Sequence, residues 1–238
     1  MPHFPFQRLQ ADLAALIAKL PPGSRLPSEP DLAADMGVSR ATLREAMRTF
    51  ETQGLIRRRQ GAGTFVVGQP PVIEGGLEML ESMLTLAQRT NLNVGPGPVS
   101  VEQVQADASS AEALEVPVGT RLVRVSRTMR ADSRPVAYLV DTLPEDILRP
   151  DELTNKFSGS VLDYLLQRGD PLTVSRTEIT ASNATAEVAK MLEIQRGDVL
   201  LQFSAKLFTA SGKVVDYSYS YFVPGYFKFH IVRKVGGV

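Results

Sequence analysis

The stretch from Leu26 to Val67 constrains the fold most, because its apolar pattern changes at Gly54 from a helical period to short extended runs. Two helices are predicted before Gly54. Ser28 is typical of the N-cap of the first, and Ser39 of the N-cap of a second that runs to about residue 53. Gly37 supplies the short turn between them. This arrangement predicts a helix-turn-helix.

The second helix has two different faces. Four apolar residues at helical spacing predict a buried stripe, namely Leu43, Ala46, Met47 and Phe50. Arg40, Arg44 and Arg48 recur every four residues, so one solvent-facing side presents three guanidinium groups. The N-terminal end, which would enter a DNA major groove, also carries Ser39, Ala41 and Thr42. Taken alone, such a helix is equally well explained as a solvated surface helix.

After Gly54, the runs LIRRR and TFVV, linked by QGAG, predict a β-hairpin wing. Arg57, Arg58 and Arg59 stand at its base. Gly61 and Gly63 permit a tight tip that can approach a phosphate backbone closely. The stretch as a whole therefore predicts a winged helix-turn-helix whose partner is double-stranded DNA.

Charge is concentrated in this stretch. Residues 40–59 contain six arginines against Glu45 and Glu51, whereas the whole chain has 26 basic and 26 acidic residues. A positive end on a neutral chain favours nucleic-acid binding over the solvated-helix interpretation.

The segments LPSE, GVSRATLRE and GAGTFV, at these spacings, resemble the DNA-binding domain of the GntR family of bacterial repressors over roughly residues 4–68. The resemblance implies DNA contacts from Ser39, Arg40, Thr42 and Arg44. It also implies that Gly61, at the wing tip, enters the minor groove. One departure is Pro30, which stands where the family often has a DNA-contacting arginine.

Composition excludes several classes of function. The chain has no cysteine, and its only histidines are His3 and His230, so no disulfide, thiolate nucleophile, metal site, catalytic residue or cofactor is predicted. No run of about 18 apolar residues and no secretion signal are present, which disfavours the membrane and predicts a cytoplasmic protein.

Three parts are predicted along the chain. Residues 1–68 form the DNA-binding domain, whose first helix, at 5–20, packs behind the motif. Residues 69–98 form a linker with an amphipathic helix, between the Pro/Gly-rich segment GQPPVIEGG and the loop NLNVGPGP. Residues 99–238 form a second domain.

The second domain contains an internal repeat at an offset of 78 residues. LEVPVG at 114–119 matches LEIQRG at 192–197, and each copy follows a helical run and precedes two strands. Two such units predict four strands around a pseudo-twofold axis, with helices on one face. TVSRTEITA adds a strand and SVLDYLL a helix, so the class is α+β around an antiparallel sheet.

The order RxxRAD, RPVA, SVLDYL, LEIQRGDVLL, DYSYSYF resembles the ligand-binding domain of the HutC subfamily of GntR regulators, the UTRA domain, over roughly residues 95–235. That domain shares its fold with chorismate lyase. The resemblance implies effector binding, and homodimer formation through this domain. The family's pocket positions fall on Arg127, Met129, Leu139, Ser160, Leu162, Asp216 and Phe222. Only the arginine, the serine and the aspartate keep the polar character of phosphosugar-binding members, which favours a more apolar effector.

Arg127 has an argument of its own. It alternates in phase with Val123 and Val125, so it lies on the apolar face of a strand, where an unpaired guanidinium would cost several kcal/mol. It therefore needs an anion. That anion is either a protein carboxylate such as Asp216 or a group on the ligand.

The leading hypothesis is a ligand-responsive transcriptional repressor, not an enzyme, that binds a palindromic operator as a homodimer and is released by a small-molecule effector. One alternative is a lyase-like enzyme that uses Arg127 and Asp216. The other is a non-specific architectural DNA binder, which the acidic C-terminal half argues against.

Overall fold

The computed structural model describes residues 5–67, 72–89, 94–131, 134–153, 157 and 159–233. The chain separates into two compact units on either side of Val72 and Ile73. His3, the predicted domain boundary at 68/69, the first three residues of the NLNVGPGP loop, and Asp132 of the RxxRAD landmark lie outside the described ranges. Within these ranges, no helix is long and apolar enough to cross a membrane.

The first unit consists of three helices and a hairpin. Its elements are α1 (Pro5–Lys19), α2 (Glu29–Asp35), α3 (Arg40–Thr52), β1 (Ile56–Arg59) and β2 (Gly63–Val66). Both predicted N-caps are present, because the side chain of Ser28 accepts a hydrogen bond from the Asp31 amide and that of Ser39 from the Thr42 amide. Gly37 takes a positive φ of 65° in the turn between α2 and α3.

One small core holds this unit together. The predicted stripe of α3 is buried, and Leu43 and Ala46 have no exposed surface. It packs with Leu9, Leu13 and Ile17 of α1, which confirms that the first helix supports the motif from behind. Because the apolar stripe faces this core, Arg40 and Arg44 face outward, whereas Arg48 is half-buried.

The second unit is built on a six-stranded antiparallel sheet. The strands lie in the order β4-β5-β6-β9-β8-β7. Its strands are β4 (Val94–Gln105), β5 (Arg121–Ala131), β6 (Arg134–Pro144), β7 (Leu172–Asn183), β8 (Val199–Thr209) and β9 (Val214–Phe222). Its helices are α4 (Met83–Arg89), α5 (Ala108–Leu114), α6 (Val161–Arg168) and α7 (Ala186–Leu192), with a 3-10 turn at Pro150–Leu153. The α+β class predicted from the sequence is confirmed.

The internal repeat is also confirmed, and it extends to the backbone conformation. The helices α5 and α7 are followed by the C-cap residues Glu115 and Glu193, which lie 78 residues apart and share a left-handed conformation, with φ of 57° and 55°. The Ala106 amide donates to the Thr120 carbonyl at 2.9 Å, and the equivalent pair, the Ala184 amide and the Asp198 carbonyl, is at 2.8 Å. The two helix-hairpin units place β6 and β9 side by side at the centre of the sheet.

The helices of the two repeats, α5 and α7, pack on one face of the sheet as predicted, whereas the further helix α6 lies on the opposite face. Successive strand residues point to opposite faces, and the hydroxyl of Tyr138 contacts Glu187 of α7 whereas the neighbouring Leu139 faces α6. The helix α6 packs on Val123 and Val125, which belong to the Leu139 face. This face needs its own cover because its apolar residues would otherwise meet water.

Two segments predicted as linker or loop are strands of the second unit. β3 (Ile73–Gly76), which lies in the predicted linker, pairs in parallel with β10 (Phe227–His230). Residues 94–98, expected as loop, begin β4, which accommodates its prolines through a register shift between Pro96 and Val99. The predicted amphipathic helix is correspondingly short, since α4 begins only at Met83.

Candidate DNA-binding surface and effector cavity

The N-terminus of α3 presents its polar residues to solvent. Ser39 caps the helix, and its Oγ lies 2.8 Å from the Thr42 Oγ1. Arg40, Ala41 and Arg44 are exposed on the same side. A capped, exposed helix start flanked by guanidinium groups is the arrangement by which recognition helices read a major groove.

Three of the predicted DNA-contacting arginines carry ion pairs. The Arg44 Nε lies 2.6 Å from Glu29 Oε2, and the Arg48 Nη2 lies 2.9 Å from Glu45 Oε1. Arg58 reaches the other Glu29 oxygen at 3.6 Å. Exposed ion pairs contribute only about 0–1 kcal/mol, so a phosphate or a base edge can displace them.

The wing continues this surface. Gly61 and Gly63 take φ of 73° and 114° at the tip. Arg58 and Arg59 pair with Thr64 and Gly63, so Arg59 lies next to the tip and not at the predicted base. A Cβ at Gly63 would come within 2.7 Å of the Arg25 Nε, so a larger residue there would also displace Arg25. Arg25 was not predicted. It is exposed and pairs with Phe65 across the wing, which adds a further cation to the surface.

The second unit contains a cavity of about 130 Å³ on the Leu139 face of the sheet. We call it the effector cavity. It lies between the strands, the N-terminal end of α6 and the segment that leads into α4. It is lined by Leu80, Glu81, Ser82, Met83, Leu84, Arg127, Leu139, Asp141, Gly159, Ser160, Leu162, Ser175, Thr177, Phe203, Ala205, Leu207, Asp216, Ser218 and Ser220.

Five of the seven predicted effector residues line this cavity: Arg127, Leu139, Ser160, Leu162 and Asp216. Met129 and Phe222 do not. They lie in the core at the end of the sheet that β10 covers, where the Phe222 ring is 4.7 Å from that of Phe227. The tertiary packing of β10 therefore removes these two positions from the cavity wall.

Three ionisable side chains meet at the floor of the cavity. Arg127 is buried, as predicted, and its guanidinium forms an ion pair with Asp141. Asp216, the carboxylate expected as partner, lies beside this pair and accepts a hydrogen bond from the Thr142 amide at 3.2 Å. Burial and the neighbouring Asp141 raise the pKa of Asp216 well above its usual range, although Arg127 opposes this shift.

Several polar residues of the cavity wall were not predicted from the sequence, although strand alternation indicates some of them. Asp141 lies two residues after Leu139 and therefore shares its face. Ser218 and Ser220 follow Asp216 at the same spacing in the run DYSYSYF. Ser175 and Thr177 carry no such signal, since only the β7–β8 pairing brings them to the cavity.

Comparison with known proteins agrees with both halves of this description. The family model described as "Bacterial regulatory proteins, gntR family" matches residues 6–66, and the UTRA domain model matches residues 93–228. The histidine utilization repressor of Klebsiella aerogenes is 31% identical over 76% of this chain and 73% of its own length. The mannosyl-D-glycerate transport/metabolism system repressor MngR of Escherichia coli is 26% identical over 98% of each chain.

Among solved structures, PhnF from Mycobacterium smegmatis matches with a TM-score of 0.65 and 22% identity, covering 96% of this chain and 100% of its own. This likeness supports the fold. The two family matches together cover both units, and they agree with the winged helix-turn-helix and the antiparallel-sheet domain found in the structure. The chain thus belongs to the GntR family of bacterial transcriptional regulators, in the HutC-like subfamily whose second domain is a UTRA domain.

Proposed function

We propose that this chain is a transcriptional repressor that binds a palindromic operator as a homodimer and is released when a small-molecule effector occupies the effector cavity. The observation that carries this proposal is the combination of an exposed arginine surface in the first unit with a partly polar cavity in the second. A regulator needs both, because one site must read DNA while the other responds to a ligand.

The DNA-binding residues in this proposal are Ser39, Arg40, Ala41, Thr42, Arg44, Arg48, Arg58, Gly61 and Gly63, with Arg25 added from the structure. Two adjoining depressions of the surface share Arg44 and Arg58, so helix and wing form one continuous basic face. One DNA-binding unit offers only a small contact area. We therefore propose that the two DNA-binding units of a homodimer bind two half-sites about one helical turn apart.

The effector cavity is built partly by the segment between β3 and α4 of the second unit. Residues 80–84 form one wall of the cavity, and they lie only a few residues after β3. The Ser82 Oγ donates to the Asp163 Oδ2 at 2.6 Å, which ties this segment to the start of α6. A ligand that contacts residues 80–84 therefore contacts the part of the second unit that follows β3, its first strand after the DNA-binding unit. This supports coupling between the two sites.

The coupling predicts that effector and operator weaken each other's binding by the same factor. A typical coupling of about 1–3 kcal/mol corresponds to some 5- to 150-fold. Fluorescence anisotropy with a labelled operator, with and without a ligand found by thermal-shift screening, measures one direction, and calorimetry of the ligand with and without DNA measures the other. A ligand that fills the cavity and leaves operator affinity unchanged would contradict the repressor mechanism.

We propose that the homodimer interface forms along the edge strand β7. β7 is an edge strand of 12 residues and is exposed along most of its length, and in the described part of the chain only β8 pairs with it. Antiparallel pairing of two copies about Thr177 places Arg176 of each opposite Glu178 of the other. The other edge, β4, contains Pro96 and Pro98, which cannot donate ladder hydrogen bonds.

Charge reversal at Arg176 tests whether two β7 strands form the dimer interface. Arg176→Glu replaces two opposite-charge pairs per dimer by like-charge pairs and is expected to weaken dimerisation of the full chain by about 1–4 kcal/mol, fivefold or more. The exchange Arg176→Glu with Glu178→Arg should restore it. Sedimentation velocity over a concentration series measures both, with Glu102→Gln on the opposite edge as the matched control. An unchanged dimer in the single variant would place the interface elsewhere.

We further propose that the chain is not an enzyme and that it acts in the cytoplasm, where a bacterial operator lies. The alternative of a lyase-like reaction would need a free charged group at the cavity floor. Arg127 is instead held by Asp141, and burial beside Asp141 raises the pKa of Asp216, which favours the neutral form of that side chain. Absence of turnover for every ligand that binds supports this; product formation would reverse it.

A further inference from the structure

The charged groups that line the effector cavity are unequal in number. Arg127 is the one cation among the described lining residues, whereas Glu81, Asp141 and Asp216 are acids. Arg127 is already paired with Asp141. The cavity therefore holds carboxyl groups in excess of guanidinium, and Asp216 has no cation of its own among the described side chains.

Asp216 is well placed to accept a positive charge. It is only 6% exposed, and its carboxyl group forms a hydrogen bond with Asp141 in addition to the one from the Thr142 amide. If both acids were ionised in the empty cavity, they would share a single guanidinium, which their burial makes unfavourable. The empty cavity therefore favours the protonated form of Asp216, whose pKa is raised by burial and by Asp141. A cationic ligand would take the place of that proton.

A second observation concerns Arg127. The residue is 7% exposed, and its Nε has no hydrogen-bond partner among the described residues. Buried donors in native proteins are nearly always satisfied, so this nitrogen points to an acceptor oxygen that a ligand would bring. The hydroxyl groups of Ser175, Thr177 and Ser218 line the same cavity and can accept from an ammonium group.

We propose that the effector is a small molecule that bears a protonated nitrogen, bound by Asp141 and Asp216, together with an oxygen acceptor for the Arg127 Nε. This inference rests on the proposed effector role of the cavity and deepens it. The volume of about 130 Å³ suits a ligand of few heavy atoms, since a cavity of roughly 150 Å³ holds benzene. A phosphorylated ligand is disfavoured because it would bring negative charge against the acids.

The proposal can be tested on the full chain without DNA by comparing four three-carbon compounds. Each carries a hydroxyl at one end and an ammonium, hydroxyl, carboxylate or phosphate group at the other. Aminopropanol is expected to bind at least tenfold more tightly than the other three by calorimetry. Asp216→Asn should lower its affinity tenfold or more, whereas Glu102→Gln, an exposed carboxylate on β4, should leave it unchanged.

The pH dependence gives an independent readout. The charged groups that face Asp216 are Asp141 from β6, Arg127 from β5 and Glu81 from the segment before α4, while the lining residues of β7 and β8 are uncharged. Since the cation replaces the proton on Asp216, affinity for aminopropanol should rise as pH rises through the elevated pKa of this group. The Asp216→Asn variant should lose this dependence.

Tighter binding of the carboxylate or phosphate compound than of aminopropanol would overturn the proposal, as would absence of aminopropanol binding at millimolar concentration. Because the panel is measured on the unsubstituted chain, this holds even if Asp216→Asn fails to fold. Operator release is scored separately. If aminopropanol binds but does not release the operator, the result would contradict the proposed repressor function. The proposal that the cavity binds a protonated nitrogen would still hold.

Discussion

Arg127→Ala is expected to lower the free energy of unfolding of the second unit by about 3–5 kcal/mol, because it leaves Asp141 buried next to Asp216 without a cation. Such a loss is a large part of the 5–15 kcal/mol that stabilises a typical domain. All six tyrosines of the chain lie at or beyond Tyr138, so tyrosine fluorescence during urea unfolding reports on this unit alone.

The matched control is Arg121→Ala. Arg121 lies on the same strand, but its side chain is 82% exposed and its contact with Glu145 is 3.6 Å long, so its loss should change stability by less than about 0.5 kcal/mol. Replacing the whole pair, by Arg127→Met with Asp141→Leu, should recover most of the lost stability because no charge is then left unpaired. If the urea unfolding midpoint of Arg127→Ala equals that of the unsubstituted chain, the result would contradict a stabilising role for the buried ion pair.

The folding stability of the second unit is expected to depend on pH because of Asp216. Its pKa is raised above the ordinary value of 3.8, so the folded protein holds a proton that the unfolded chain releases. The stability contributed by this proton is complete below pH 3.8 and is lost as pH rises through the elevated pKa. The damage caused by Arg127→Ala should therefore be smallest in acid, where both carboxyl groups are neutral.

Arg44→Ala is expected to weaken specific operator binding by roughly 1–3 kcal/mol, or about 5- to 150-fold, because a bidentate base contact or a charge-assisted phosphate contact is lost. Arg40→Ala should have a similar effect. The two roles can be separated with random DNA, since loss of a phosphate contact weakens both DNAs and reduces the salt dependence by about one unit of slope. Fluorescence anisotropy over a salt series measures all of these.

Arg8→Ala is the matched control, because Arg8 lies on α1 of the same unit, is 76% exposed and makes only a long 3.9 Å contact with Asp12. Its loss should leave operator affinity unchanged. Glu29→Gln adds a test in the opposite direction. Glu29 holds Arg44 and Arg58, so removing its charge should strengthen binding to random DNA. Unchanged affinity in both Arg44→Ala and Arg40→Ala, with folding intact, would remove α3 from the proposed interface.

Local sequence signals were enough to predict the DNA-binding unit. The serine caps, the glycine turn and the apolar stripe of α3 each depend on residues close together in the chain. They can therefore be recognised before any tertiary contact is known. The repeat in the second unit was legible for the same reason, since each helix-hairpin copy carries its own capping and alternation. The alternation of β5 likewise placed Arg127 on a buried face.

Tertiary structure alone decided which groups meet at the cavity. The pairing of β5 with β6 sets Asp141 beside Arg127, although Asp216 was the predicted carboxylate, and β10 covers Met129 and Phe222. β3 and the start of β4 were missed because prolines and glycines weaken strand patterns, and only partners distant in sequence make these segments strands. The sequence determined which face each residue occupies, because that depends on local periodicity; which residues touch depends on strand register and packing, which distant segments impose.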